Sequence, residues 1–410
     1  MLSVRVEKQL NKQKTNISNS LFWVLTIMYT IAYNSSWRAI SWLWYGVSII
    51  AILFLMLKIW QKGTVKLDFF TGWAILFFVY SLFSSLWAIN IDPILDQIKT
   101  LSLIFAINIL LAQIISTKQD VEKMLMSNII ALVVLLAYIL FNTDVSKFGE
   151  FRLGVDTLGT HWNANDIGIK LCVGFAISLY FMLQKLNIKE KGLWALFSLL
   201  FLIVALFTGS RKVVLMIAGV IFLVFFIKAK KYRLLVAFVL CLLVVLFVVV
   251  TMKIPVLYDV LGVRMEDLIK GLMEKGAGDS SFSIRERMIE LGFQWFQEKP
   301  LLGYGINNFR ELYAAEGYYG TYSHNNFIEI LVGGGLIGFF IYYSIYCYVI
   351  FKLIKPAFNK RNLLIISTLV INLMLLILQI AQVSYYETLN NCLLLLGTIC
   401  VRIGERENEY

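Results

Sequence analysis

Residues 234–250 read LLVAFVLCLLVVLFVVV, an apolar run without a charge, a proline or a glycine. An α-helix rises about 1.5 Å per residue, so about 20 apolar residues cross the hydrocarbon core of a bilayer. Several other runs in the chain are similarly apolar, and the shorter ones reach this length by extending into their polar flanks. The sequence therefore predicts a protein that crosses a membrane many times.

The composition of the whole chain agrees with that prediction. Of its 410 residues, 59% are hydrophobic and 15% are charged, whereas soluble domains carry about 45–50% apolar and about 25% charged residues. Lysine and arginine outnumber the acidic residues by 37 to 26. In a membrane protein such an excess indicates basic residues that anchor the cytoplasmic loops. No basic patch is interleaved with aromatic residues in a polar segment, so we expect no nucleic-acid partner.

We predict an all-α, polytopic membrane helix bundle of about 12 transmembrane helices, with one large extracytoplasmic loop between helices 9 and 10. The N-terminal bundle (helices 1–9) covers residues 1–250, the loop covers 251–326, and helices 10–12 lie in 327–410. The predicted spans are 20–34, 39–60, 69–89, 101–115, 126–141, 167–183, 193–208, 213–227, 234–250, 327–351, 363–383 and 390–403.

The distribution of basic residues sets the predicted orientation. The first nineteen residues are polar and basic and lack a signal-peptide cleavage pattern, so we place the N-terminus in the cytoplasm. The cytoplasmic segments then collect 22 lysines and arginines, and the short outer loops carry far fewer. An even number of spans also places the C-terminal tail inside. The cysteines are expected to be small buried hydrophobic residues rather than disulfides or metal ligands; they are Cys172, Cys241, Cys347, Cys392 and Cys400.

The long segment 251–326 contains two amphipathic stretches. Apolar residues recur at helical spacing from Val260 to Lys275, and Ser283 with Glu286 fits a capping box for a second helix. A segment of this length fits a lid over the outer face, although a spacer that merely packs on the bundle would have the same pattern.

Three clusters of polar residues fall on the predicted outer side. Arg211 and Lys212 lie at the tip of the hairpin between predicted helices 7 and 8, Arg285 and Arg287 lie in the loop, and His324 precedes the tenth span. Cations near hydrocarbon are costly unless an anion or a cavity compensates them, and an imidazole suits proton transfer. The alternatives are snorkelling to lipid headgroups, a surface Glu–Arg pair and a hydrogen-bonded boundary histidine.

A fourth, weaker cluster is GTHWNAND at residues 159–166. It contains His161, which is the other of the two histidines in the chain, and Asn165. In the simpler interpretation Asn165 only caps a helix. No Asp/Glu/His spacing suggests a metal site, and no Gly-rich phosphate loop is present.

In this order, these motifs resemble the O-antigen ligase and polymerase superfamily. Ser210-Arg211 is similar to one arginine motif, and Arg285, fifteen residues before Pro300-Leu301-Leu302-Gly303-Tyr304-Gly305, is similar to the second. His324-Asn325-x9-Gly335-x-x-Gly338 matches the histidine motif, and Asn163-Ala164-Asn165 resembles Asn-Pro-Asn with alanine in place of the proline. Gly334 and Gly338, spaced four apart, also fit close approach of a neighbouring helix.

The resemblance implies a glycosyltransferase of the outer face of the bacterial cytoplasmic (inner) membrane, with both termini cytoplasmic. Its substrate would be an undecaprenyl-diphosphate-linked oligosaccharide. By resemblance, Arg211 and Arg285 hold the diphosphate and His324 acts as base, without a metal or any other cofactor. Further possible substrate contacts are Arg287, Asn325, Lys212, Asn165 and His161. Membrane lipid and a chain-length regulator protein are the other expected partners.

Three activities remain open at this stage. The first is polymerisation of a capsule, exopolysaccharide or O-antigen repeat unit, which we favour. The second is transfer of finished glycan to a lipid, protein or wall acceptor. The third is a flippase for lipid-linked oligosaccharide, although such transporters usually show two related halves and no repeat is visible here.

Overall fold

A computed structural model of the chain describes residues 20–34, 41–143, 153, 163–185, 187–266 and 280–406. Every regular element in these ranges is helical. We number the main helices α1 Ser20–Asn34, α2 Ser41–Lys62, α3 Phe69–Phe83, α4 Asp92–Ile114, α5 Lys118–Asn142, α6 Ala164–Gln184, α7 Ile188–Phe207, α8 Arg211–Lys228, α9 Arg233–Lys253, α10 Ser280–Glu298, α11 Phe309–Ala315, α12 Asn326–Asn359, α13 Leu363–Leu378 and α14 Thr388–Arg406.

The helices confirm a polytopic helical bundle, but not the predicted number of spans. Among the described residues, eight helices are long and apolar enough to cross a membrane, namely α2 to α7, α9 and α12. The helices α1 and α13 are apolar but shorter. Each predicted span overlaps one helix, yet a count of twelve and the placement of the loop on the outer side stay predictions.

Two predicted spans begin too late. The helix α4 begins at Asp92 rather than at residue 101, and α5 begins at Lys118 rather than at residue 126. Their first turns are polar, so they lie outside the apolar runs that predict the spans. Pro93 lies in the first turn of α4, and Thr117 forms a capping box with Asp120 at the start of α5. These local signals extend both helices into polar sequence.

The bundle has two chemically different ends. We call one the basic end, because it carries the basic segments around residues 58–66, 185–191, 228–233 and 352–361. Hydrogen bonds tie it together from Lys66 to Gln113 and from Gln184 to Glu122. At the other end, the His324 end, α3, α7 and α13 finish and α6 and α12 begin, and the segment before α12 packs there.

Burial separates a central helix from a peripheral one. Of the apolar span of α6, 78% of the residues are buried, whereas only 6% are buried in the span that contains α9. Almost every side chain of residues 234–250, in α9, is therefore accessible on the surface of the bundle. A helix that is apolar on all sides and exposed in this way is stable only in lipid. Two cysteines depart from the prediction of burial, since Cys241 and Cys347 are exposed.

The segment before α12 forms a small folded layer on the His324 end. The helix α10 packs against α12, and its core contains Trp295, Phe309 and Tyr313 together with Ile328 and Val332 of α12. The predicted cap at Ser283 is wrong, because α10 already begins at Ser280. The predicted helix over Val260–Lys275 is described only to residue 266: its first residues belong to a π-helical turn, Tyr258–Gly262, and residues 263–266 are α-helical. The rest lies outside the described residues.

The glycines after His324 let this layer enter α12. At Gly335 the backbone has φ 57° and ψ −163°, a kink that only glycine adopts readily. The N–H of Leu336 donates to the carbonyl of Pro300 at 2.8 Å, and the N–H of Tyr304 donates to the carbonyl of Val332 at 2.9 Å. The loop 300–305 therefore supplies and receives the hydrogen bonds that the broken helix cannot make internally.

The close approach predicted at Gly334 and Gly338 is also present. A Cβ atom at Gly338 would lie 2.7 Å from the ring of Tyr80 on α3, and one at Gly334 would lie 3.4 Å from it. The hydroxyl of Tyr80 donates to the carbonyl of Gly334. The small residues thus serve helix packing as well as the kink.

Candidate functional site

The backbone around His324 is held in an unusual conformation. His324 has φ 56°, in the left-handed region that non-glycine residues seldom occupy. The carboxylate of Glu329, buried in the first turn of α12, accepts a hydrogen bond at 2.8 Å from the N–H of Ser323. The hydroxyl of Ser323 donates to the carbonyl of Asn325 at 2.7 Å. These contacts stabilise the strained turn, as is common where a side chain must be aimed at a substrate.

Asn325 and Asn326 fix the same turn from the helix side. The side-chain oxygen of Asn325 caps α12 by accepting from the N–H groups of Phe327 and Ile328 at 2.9 and 3.2 Å. Such a cap satisfies backbone donors at the helix start. The predicted role of Asn325 as a substrate contact is not tested, but this observed contact is structural.

Asn326 is the hub of a buried polar network. Its amide donates to Tyr343 at 3.0 Å and to Gln379 at 2.9 Å, and its oxygen accepts from the N–H groups of Ser384 and Tyr385. Because every one of these groups is buried, the network locks the turn of His324 to the connection between α13 and α14.

The imidazole of His324 lies against the ring of Tyr322, with 4.4 Å between the ring centroids. Burial, together with the positive charges of Arg285 and Lys212, lowers the pKa of His324 to about 4. A histidine with this pKa is neutral at pH 7, so it can accept a proton. The shift also shows that two cations from distant parts of the sequence act on the same imidazole.

Arg211 and Lys212 open α8, which follows the tight turn Thr208–Gly209. The ammonium of Lys212 donates to the carbonyl of Ala381, next to α13. A guanidinium N–H of Arg211 donates to the carbonyl of Arg264 at 3.2 Å. Both cations therefore have carbonyl oxygens among their partners, at a helix N-terminus whose dipole favours anions.

Asn165 lies beside this turn. Its side-chain oxygen accepts a hydrogen bond at 2.8 Å from the buried hydroxyl of Ser210, while Asn163 caps α6. The structure thus brings the start of α6 and the start of α8 together. His161 lies outside the described residues, so its predicted contact stays a prediction.

Arg285 and Arg287 lie near the start of α10, but the two side chains have different neighbours. The charge of Arg285 acts on both His324 and Tyr322. Arg287 is exposed, lies 3.4 Å from the carboxylate of Glu290 and also contacts Tyr318. Because α10 begins at Ser280, Arg285 is in its second turn and not at the N-terminus assumed from the sequence.

The site also contains Tyr322, which belongs to none of the motifs in the sequence. Burial and the carboxylate of Glu387 raise the pKa of Tyr322, and the charges of Arg285 and Asp166 also act on it. Tyr322 is therefore near the cation of Arg285 and near the carboxylates of Asp166 and Glu387. Its only sequence signal is its position two residues before the histidine.

The arrangement can hold an anion and accept a proton in the same place. The positive charges of Arg285 and Lys212 near His324 favour a phosphate group, and the neutral imidazole suits a hydroxyl that must lose a proton. In the described part of the chain, no three His, Cys, Asp or Glu side chains are grouped to hold a metal ion. The predicted independence from metals stays a prediction.

A family model described as O-antigen ligase matches residues 195–343. The matched region begins in α7 and ends in α12, so it contains Arg211, Lys212, Arg285 and His324. No curated protein matches the chain. Members of this family are glycosyltransferase-type enzymes of the membrane, in agreement with the apolar helices. Through residues 195–343, the chain is related to the O-antigen ligase and polymerase superfamily.

Proposed function

We propose that the protein polymerises lipid-linked repeat units of a capsule, exopolysaccharide or O-antigen at the outer face of the bacterial cytoplasmic membrane. The donor is a glycan on undecaprenyl diphosphate. The observation that carries this proposal is the joint action of Arg285 and Lys212 on His324, at the end of the bundle opposite the basic end.

The cations suit the leaving group. In the proposed reaction a hydroxyl oxygen of the acceptor attacks the anomeric carbon of the donor, and the bond from that carbon to the diphosphate oxygen breaks. The lipid diphosphate leaves with the electron pair. Arg285, Lys212 and the N-terminus of α8, which begins with Arg211, would stabilise its charge.

His324 suits the proton. The acceptor hydroxyl loses its proton to the neutral imidazole as the new glycosidic bond forms. A pKa of about 4 makes imidazole a weak base in the empty site. A bound diphosphate brings negative charge next to His324, which raises that pKa and strengthens the base when the donor is present.

Glycan transfer by a ligase is the second candidate, since the matched family model is described as O-antigen ligase. Both reactions use the same donor and differ in the acceptor. Glycan analysis of a strain that lacks the protein separates them. A polymerase deletion leaves single repeat units on the final acceptor, whereas a ligase deletion leaves full-length polymer on the carrier lipid.

The same strain also tests the site. Complementation with Arg211→Ala or His324→Ala is expected to leave glycan chains unextended, although each variant inserts into the membrane at the wild-type level. Arg211→Lys is expected to retain little activity, because lysine cannot make the two-pronged contact of arginine with phosphate. Wild-type polymer length with Arg211→Ala would contradict the phosphate-binding role, and accumulation of substrate on the inner leaflet in the deletion strain would indicate a flippase.

A further inference from the structure

A cleft lies at the basic end, between the last turns of α12 and α14 and the start of α13. Its volume of about 270 Å³ far exceeds the space that one water molecule needs. Apolar side chains form most of its wall, among them Leu353 and Val401, while Lys352, Lys355 and Glu405 carry the charges. The cleft therefore offers apolar contact and charge to the same ligand.

A glycine enlarges this cleft. Gly404 lies in the last turn of α14 and belongs to the lining. A Cβ atom at Gly404 would have nothing within 4 Å among the described residues, so packing does not require glycine there. Because glycine is less favourable than alanine in a helix, its presence costs stability and, in return, leaves the space of the cleft open.

The charged side chains of the cleft leave an excess of positive charge. Lys352 is paired with Glu405 at 2.8 Å, so these two side chains cancel each other. Lys355 is exposed and makes no ion pair within the described part of the chain. Its ammonium group is therefore available to an anion, and lysine binds phosphate groups as a point charge.

An exposed stripe on α12 leads away from the cleft. It consists of Phe340, Cys347, Phe351 and Ile354, which recur at helical spacing on one side of the helix. Phe351 is 73% exposed and also lines the cleft, so the stripe and the cleft are continuous. At about 1.5 Å per residue, α12 rises about 16 Å from Phe340 to Phe351, close to half of the about 30 Å hydrocarbon core. The stripe thus has the length of the acyl chains in one leaflet.

We infer that the cleft binds the headgroup of an anionic phospholipid, with Lys355 contacting the phosphate and the acyl chains lying along the stripe of α12. A soluble phosphate would use Lys355 but not the stripe, whereas a phospholipid uses both. The basic residues predict that this end faces the cytoplasm, and anionic lipids give the cytoplasmic leaflet its negative surface potential. The bound lipid contacts α12, α13 and α14 at once, so it stabilises the bundle at the end opposite His324.

Native mass spectrometry of the purified full-length protein in detergent micelles tests this assignment. The protein is titrated separately with phosphatidylglycerol, which is anionic, with phosphatidylcholine, which is zwitterionic, and with inorganic phosphate. The adducts are counted at each concentration, which gives the number of bound molecules and their affinity.

Two variants change the cleft, and each has a matched control at the basic end. Lys355→Ala removes the unpaired charge, and Lys189→Ala removes another exposed lysine. Gly404→Leu fills the open space of the cleft, and Gly192→Leu is its control, since a Cβ atom at Gly192 also has nothing within 4 Å. Lys189 and Gly192 both lie near the start of α7 and outside the cleft.

The wild type is expected to bind one phosphatidylglycerol more tightly than phosphatidylcholine. Lys355→Ala should weaken this binding about fivefold, the effect of one lysine near an anionic lipid surface, and Gly404→Leu should abolish it. Both controls should bind as the wild type does, and thermal unfolding without added lipid identifies any variant that is not folded. Equal affinity for the two phospholipids, or wild-type affinity in both cleft variants, would overturn the lipid site. Tight binding of inorganic phosphate that is lost in Lys355→Ala would also overturn it, because the cleft would then serve a soluble anion.

Discussion

The two ends of the bundle use positive charge in different ways. At the basic end, Arg402 is paired with Asp68 at 3.0 Å and also donates to the carbonyls of Ala112 and Ile115. At the His324 end, the charges of Arg285 and Lys212 act on an imidazole and lower its pKa.

The difference separates a cation that is paired with a carboxylate from cations whose charge acts on a titratable side chain. A cation with a partly buried carboxylate partner, such as Arg402 with Asp68, is neutralised within the protein, and its removal leaves that carboxylate without its cation. A cation whose field is still felt by a neighbouring histidine contributes positive potential to the site. The His324 end is therefore suited to an anion, and the basic end to the integrity of the bundle.

The largest effect is expected from the imidazole. His324→Ala should reduce glycan transfer by about 10²-fold to 10⁴-fold, the usual contribution of a general base. Transfer by purified protein is the measurement, with Ser198→Ala as a folded control. Activity within a fewfold of the wild type would show that His324 is only a boundary residue.

The next effect concerns the basic end. Arg402→Ala leaves the partly buried Asp68 without its cation, and because 16% of that side chain is exposed the cost should be below the about 3–5 kcal/mol of fully buried pairs. We expect a clear fall in the thermal unfolding temperature but normal transfer per folded molecule. Arg285→Ala should show the opposite behaviour, with transfer lost and unfolding unchanged. If both variants lose activity in proportion to folded protein, the distinction between the two ends is wrong.

A smaller loss of stability is expected at the kink of α12. Gly335→Ala places a side chain in a backbone region that is almost restricted to glycine, at a cost of about 1–3 kcal/mol. The new Cβ would also lie 2.3 Å from the carbonyl of Leu301. The unfolding temperature should fall relative to Gly192→Ala, since nothing lies within 4 Å of a Cβ at Gly192. Equal unfolding temperatures would contradict the account of the kink.

The smallest effect is a shift in titration. The pKa of His324 is lowered to about 4, so the imidazole is neutral at pH 7 and becomes protonated only as the pH falls through that value. Arg285→Ala should raise this pKa towards 6.5 without reaching it, because burial is the larger cause. NMR of histidine-labelled protein measures the shift, and His161→Gln assigns the signal because the chain has two histidines. A wild-type pKa near 6.5 would contradict a buried, positive site.

Much of the bundle was predictable because apolar runs report directly on lipid contact. The start of α5 was not, since its first turn contains Lys118 and Asp120 and resembles a loop in composition. The kink at Gly335 depends on the carbonyl of Pro300, which lies far from it in sequence. No local pattern reveals that contact.

In the site, too, some residues can be identified from the sequence and others only from the structure. The ordered motifs indicate His324, Arg285 and Arg211, and in the structure the charge of Arg285 lowers the pKa of His324; the predicted roles of the three residues stay predictions. The charge of Lys212, which the resemblance gives only as a further possible substrate contact, also lowers the pKa of the imidazole. Glu329 and Asn326 position the turn through tertiary hydrogen bonds, so their roles required coordinates.

Equilibrium binding of a polyprenyl diphosphate to the purified protein tests the central claim most directly. The wild type and Arg402→Ala should bind with equal affinity, measured on folded protein. Arg285→Ala should bind at least about tenfold more weakly, since a hydrogen bond to a charged group contributes about 1.5–3 kcal/mol. Equal affinity of Arg285→Ala and the wild type would contradict the claim that the cations around His324 hold the donor diphosphate.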